Sequence, residues 1–293
     1  MLNGESGARV DVAAKTARTA RLVVQTTVFI VSAVAVTWAA GSLVLISNQA
    51  ALIGGGLKRP ALELPIGLAV MLLLVADLGP TLGALVALLL FDGPRGARKW
   101  IGQLARWRIA WYWYAVALAG PTAISLVGVG AYVALGGVMG SSWIVLQPGR
   151  IALTAVGGWA EELGWRGFAQ PKLQGRLGAV AAAVVVGVMW NVWHQWQLVA
   201  PGGAGFAWGD AGWSLLYLIS ISVLIAWIYN NARASLPAAI AAHVGINAVR
   251  FNPYPVALVT MAFAVAAVLV TFITGPESLV RRGARPPRPL ESD

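Results

Sequence analysis

The chain has 293 residues, of which 58% are apolar and only 11% charged, against roughly 25% charged in an ordinary soluble domain, so a soluble globule is excluded. It has no cysteine, which removes disulfides, thiolate zinc sites and cysteine nucleophiles and leaves oxygen and nitrogen groups for any chemistry. The net charge of +10, in so apolar a chain, fits loops facing anionic lipid; no basic-aromatic motif points to nucleic acid as a partner.

Apolar runs of about 20 residues, enough to cross the hydrocarbon core, lie near 22–46, 66–91, 111–135, 150–168, 178–199, 212–230, 236–252 and 255–274. They predict an all-α, polytopic, multi-pass protein of the cell membrane with about eight transmembrane helices. The first run exceeds a signal-peptide core and no cleavage site follows it, so it reads as a retained anchor. The second is flanked by Pro65 and contains Asp77 and Pro80, which predicts a kink or a split. Residues 92–109 interleave charges with Trp, a pattern of either an interfacial helix or a simple loop.

The expected organisation is a basic cytoplasmic segment over 1–21, a transmembrane domain over 22–275 and an Arg/Pro-rich tail over 276–293. Residues 1–20 and 276–293 are too polar to bury a core and are expected as mobile tails. With the N-terminus cytoplasmic, seventeen basic residues fall on the inside: Arg9, Lys15, Arg18, Arg21, Arg95, Arg98, Lys99, Arg106, Arg108, Arg166, Lys172, Arg176, Arg233, Arg281, Arg282, Arg285 and Arg288. Four fall outside, Lys58, Arg59, Arg150 and Arg250, and this positive-inside bias predicts that both termini face the cytoplasm. Trp107, Trp111, Trp113, Trp193, Trp196, Trp208 and Trp213 fit interfacial belts.

Ionisable groups inside apolar runs are costly and point to function. The fourth run carries Glu161, Glu162 and Arg166, the fifth Asn191 and His194, and the seventh His243 and Asn247. Glu162 and Arg166 stand at i and i+4 with the acid first, the favoured geometry for a helical ion pair, which makes Glu162 mainly structural. Glu161 points about 100° away and has Trp165 at i+4, so it is left as a partly desolvated general base. His243 and Asn247 share one face and could donate two hydrogen bonds to one oxygen, as an oxyanion requires. Each residue alone could equally be an interhelical hydrogen bond or a folding clamp. Asp77, before a Gly-Pro break, reads as a cap or pairing group, and Trp190 as packing beneath His194.

The motifs Glu161-Glu162-x-x-x-Arg166, Trp190-x-x-x-His194 and His243-x-x-x-Asn247 together resemble those of the CPBP intramembrane proteases, the CAAX-protease and bacteriocin-processing group also called the Abi family. The resemblance spans about 100 residues, 150–250, and makes helices four to seven the catalytic core. Trp190 stands where that family usually has Phe. The resemblance implies that Glu161 and His194 activate a water, that His243 and Asn247 stabilise the oxyanion, and that Glu162 and Arg166 support the site.

The expected function is therefore an intramembrane glutamic endopeptidase of CAAX-prenyl-protease type, acting on a peptide or protein substrate, lipidated or plain, in the bilayer. No cofactor is expected, although two histidines and a glutamate with an open fourth position could ligate zinc. The chain lacks the His-Glu-x-x-His of metalloproteases and the Gly-x-Ser-Gly of rhomboid-like enzymes, and Asp77 and Asp210 are its only candidates for an aspartyl pair. The alternatives are a non-proteolytic partner or immunity protein of the same family and a proton-coupled carrier. A carrier would more often show repeated, interrupted helices in its two halves, and no internal repeat is present.

Overall fold

The computed structural model describes residues 2–50, 57–146, 148–199, 201 and 208–280. Arg281, Arg282, Arg285 and Arg288 lie outside the described residues, as do the side chains of Arg9, Arg150 and Trp208. The protein is an all-α polytopic membrane protein, and its helices expose apolar side chains such as Leu90, Val127 and Phe272, the last 85% exposed, to what must be lipid.

All eight apolar runs are helical. They correspond to α1 (Leu2–Leu45), the pair α2 (Ile66–Asp77) and α3 (Gly79–Phe91), α5 (Trp111–Ala134), α6 (Pro148–Gly164), α8 (Ala179–His194), α10 (Trp208–Asn231), α11 (Leu236–Ala248) and α12 (Val256–Thr274). By length and apolarity, four of these helices among the described residues can cross a membrane alone, α1, α5, α10 and α12, and the α2–α3 pair makes a fifth span bent by 53°. Pro80 lies in the first turn of α3 and cannot donate to the preceding helix, which explains the bend. The three remaining helices, α6, α8 and α11, have 17, 16 and 13 residues. These short helices carry the three motifs, except that Arg166 lies just beyond the end of α6.

Between the second span and α5 lie α4 (Gly93–Ile101) and a 3₁₀ turn, Gly102–Ala105, so part of the 92–109 segment is the helix that its composition suggested. A π turn, Trp165–Ala169, joins α6 to α7 (Gln170–Leu177), and a single turn, α9 (Trp196–Val199), follows α8. A π turn breaks the regular helical ladder. Here Trp100 Nε1 donates to the Leu163 carbonyl at 2.9 Å and Gln103 Nε2 to the Gly167 carbonyl at 2.9 Å, so side chains from α4 and the 3₁₀ turn satisfy backbone groups around the break.

Small residues bring the helices close, as membrane packing favours. A Cβ added at Gly187 of α8 would lie 2.6 Å from the Ile219 Cα of α10, and one at Gly128 of α5 2.6 Å from the Val259 Cα of α12. Strands β1 (Ile144–Leu146) and β2 (Val249–Phe251) pair antiparallel, Val145 opposite Arg250, and so tie the start of α6 to the end of α11.

The described parts of the two expected tails, residues 2–20 and 276–280, are not free chain. Residues 2–20 continue α1 as helix, in a proline-free stretch containing several Ala, Arg and Lys, which are good helix formers. Residues 276–280 are anchored: the Pro276 and Glu277 carbonyls accept from Val180 and Ala179 at 3.0 and 2.8 Å, capping the free N–H groups that begin α8. Asn230 and Asn231 hold the Ser278 and Leu279 carbonyls at 2.8 and 2.7 Å, and Leu279 is fully buried.

Candidate active site

The site is built on one face of α6. Glu162 Oε1 lies 3.0 Å from an Arg166 terminal nitrogen, and both side chains are completely buried. The i, i+4 pair expected from spacing is thus a core ion pair, and Arg166 is no loop cation. Sixteen of the seventeen basic residues expected on the inside then remain for the orientation argument. The Arg166 guanidinium also lies 5.0 Å from the centre of the Trp190 ring and 3.4 Å from the Ser222 carbonyl of α10. Ser222 in turn donates to Ala183 of α8 at 2.8 Å.

His243 of α11 faces both glutamates. Its Nδ1 is 3.0 Å from Glu162 Oε1, so a single carboxylate oxygen serves both Arg166 and His243. Its Nε2 stands 3.7 Å from Glu161 Oε1. Gly158, one turn before Glu162, makes this approach possible, since a Cβ there would lie 3.3 Å from the imidazole. Asn247 follows one turn later on the same face, but its amide donates to the His243 carbonyl at 3.3 Å. The expected donor pair is present on one face, with its donors turned to the protein.

Trp190 of α8 does more than pack. Its indole N–H donates to Glu161 Oε2 at 2.8 Å, a bond that sequence reasoning missed because it depends on how α8 faces α6. Its carbonyl oxygen lies 3.0 Å from His194 Nδ1. A carbonyl can only accept, so Nδ1 carries the proton and Nε2 is the basic nitrogen. The Trp190 ring is 6.0 Å from His194 and 5.4 Å from His243. Asn191, the next residue, accepts from Ser214 at 2.9 Å and joins α8 to α10.

Asp77 also belongs here. It lies within electrostatic range of Glu161 and His243, and a Cβ at Gly157, one turn before Glu161, would meet its carboxylate at 3.6 Å. A network fixes this end of α2: Trp193 Nε1 donates to the Thr37 hydroxyl at 2.6 Å, and Thr37 donates to the Ala76 carbonyl at 2.6 Å. From α3, Thr81 donates to the Ala160 carbonyl, directly before the glutamates. The sequence signal for Asp77 was its position as a lone acid in an apolar run. Among the described residues, no three His, Asp or Glu side chains come together in an arrangement that could hold a metal ion.

Residues 142–249 match the family model described as Type II CAAX prenyl endopeptidase Rce1-like. Together with one curated relative, this supports the CPBP/CAAX protease family. That relative, a CAAX prenyl protease 2 of Methanococcus maripaludis, is 29% identical over 92 residues, which are 30% of this chain. The matched stretch spans 34% of the relative's length. The family match covers α6, α8 and α11, so the similarity falls on the elements that carry Glu161, Glu162, Arg166, Trp190, His194, His243 and Asn247.

Proposed function

We propose that the chain is an intramembrane endopeptidase of the CAAX-protease type, acting in the cell membrane on a peptide or protein substrate through a glutamate-activated water. The observation that carries this reading is the grouping of His243 with Glu161 and Glu162, to which Trp190 adds an orienting role. Its indole engages Glu161 Oε2 and leaves Oε1 as the basic oxygen, while its carbonyl leaves Nε2 as the basic nitrogen of His194. Two proton acceptors are thereby oriented from one residue, as general-base activation of water requires.

In the proposed reaction Glu161 and His194 take a proton from water as its oxygen attacks the scissile carbonyl. His243, kept at Nδ1 by Glu162, donates from a protonated Nε2 to the developing oxyanion, Asn247 turns its amide from the His243 carbonyl to the same oxygen, and the leaving amine receives the proton as the C–N bond breaks. Glu162 and Arg166 hold His243 in place. The route is proposed without a resident metal because, among the described residues, no three His, Asp or Glu side chains are grouped to hold one.

The test is a proteolysis assay with purified protein in bilayers, using a panel of lipidated and plain membrane peptides and Glu161→Gln as the control. Cleavage that disappears in that variant supports the reading. Cleavage that survives it assigns the chemistry elsewhere. If no cleavage occurs and Glu161→Gln retains full biological function in cells, the non-proteolytic partner reading replaces it.

A further inference from the structure

The helix α4 presents two unlike faces. Inward, Trp100 is buried and donates to the Leu163 carbonyl, next to Glu162, while the neighbouring Gln103 is buried and holds the Gly167 carbonyl inside the π turn. Gln103 is itself fixed by the Tyr229 hydroxyl of α10 at 2.9 Å. Outward, Arg95 and Arg98 are exposed and project about 140–160° away from Trp100 around the helix. Arg106 and Arg108, in the turn that follows, are exposed too, and Arg108 lies 5.0 Å from the centre of the Trp107 ring.

Two features say what this face meets. No acidic residue occurs between Asp92 and Glu161, and Asp92 is already engaged by Arg21 and Lys172 at 3.0 and 2.8 Å. Among the described residues the four arginines have no acidic partner. Large apolar groups stand beside them, Ile101, Trp107 and Trp111 being 52%, 57% and 77% exposed, at the point where the α5 span begins. Arginine with exposed indole at the end of a span is the chemistry of the head-group layer.

We propose that the outer face of α4 and the turn after it bind anionic phospholipid head groups, and that this contact orders the turn following Glu161 and Glu162 through Trp100 and Gln103. The π turn depends on side chains from the α4 segment for its Leu163 and Gly167 carbonyls. Lipid that fixes α4 therefore fixes those donors, and loss of lipid loosens them. The activity proposed above is not needed for this coupling.

The test is amide hydrogen exchange of the full chain in nanodiscs of phosphatidylcholine, with and without a fraction of phosphatidylglycerol. Anionic lipid should slow exchange of the amides of residues 163–169 by roughly tenfold. The combined substitution Arg95→Gln, Arg98→Gln, Arg106→Gln and Arg108→Gln, all at exposed positions, should abolish that response. Trp100→Phe should keep α4 protected by anionic lipid while weakening protection of 163–169. Equal exchange in the two bilayers overturns the proposal, as does a lipid response that survives the fourfold variant. Inorganic phosphate or a poly-glutamate peptide that gives the same protection in neutral bilayers would assign the face to a soluble anion instead.

Discussion

The indole nitrogen of Trp190 stands 2.8 Å from Oε2 of Glu161, and both groups are buried. A Phe at this position would preserve the ring and lose the bond. Trp190→Phe should therefore reduce turnover by about tenfold or more, the loss of one hydrogen bond to a charged group, and should also lower the thermal midpoint, since it leaves a buried carboxylate oxygen unpaired and opens space in the core. Parallel steady-state assays and melting curves measure both. A variant with wild-type turnover would remove Trp190 from the positioning of Glu161.

The neighbouring glutamates should separate cleanly. Glu161→Gln abolishes proteolysis and leaves folded protein at near-normal abundance, because shape is kept and the proton acceptor is lost. Glu162→Gln leaves Arg166 uncompensated in the core and also withdraws the carboxylate partner of His243. A destabilisation of about 3–5 kcal/mol is expected, visible as lower abundance and a lower melting temperature. Equal stability of the two variants would contradict the structural role of Glu162.

The spacing of His243 and Asn247 suggests similar behaviour on substitution, but their burial and contacts make them differ. His243 is buried between two glutamates, so His243→Ala should lower both turnover and stability, the latter by about 1–3 kcal/mol for a buried group left unpaired. Asn247 is only partly buried and bonds to its own helix. Asn247→Ala should slow the reaction by roughly 10²–10³ if it donates to the oxyanion, with an unchanged melting curve. A stability loss as large as that of His243→Ala would count against this division.

Activity should withstand chelators, and purified active protein should contain no stoichiometric zinc. The expectation follows from the proposed glutamate-activated water and from the lack, among the described residues, of three His, Asp or Glu side chains grouped to hold a metal. Activity lost to a chelator and restored by zinc would overturn it.

A reporter fused after residue 293 should read as cytoplasmic. Charge asymmetry favours eight crossings, in which α6, α8 and α11 traverse the membrane as parts of a packed core despite their length. An external reporter would indicate the five crossings that length and apolarity alone allow.

The motifs were legible in the sequence because ionisable side chains are rare in spans and because i, i+4 spacing reports a shared helix face. The ion pair of Glu162 with Arg166 could be read this way, whereas the burial of Arg166 could not, since it depends on α8 and α10 closing over it. The π turn at Trp165–Ala169 has no local code, because its carbonyl partners, Trp100 and Gln103, come from α4 and the turn after it. Asp77 looked like a cap because Pro80 signals a break and not its direction, and the side to which Asp77 then faces is set by the packing of neighbouring helices. The direction of the Trp190 N–H likewise depends on a neighbouring helix.

The carbonyls of Pro276 and Glu277 begin α8, although they lie more than eighty residues beyond its end at His194. The first amides of the helix bearing Trp190 and His194 therefore take their partners from a stretch distant in sequence. A chain halted at Gly275 would have every residue of the three motifs and lack this cap, so the helix that bears two of the candidate site residues depends at its start on a stretch outside all three motifs.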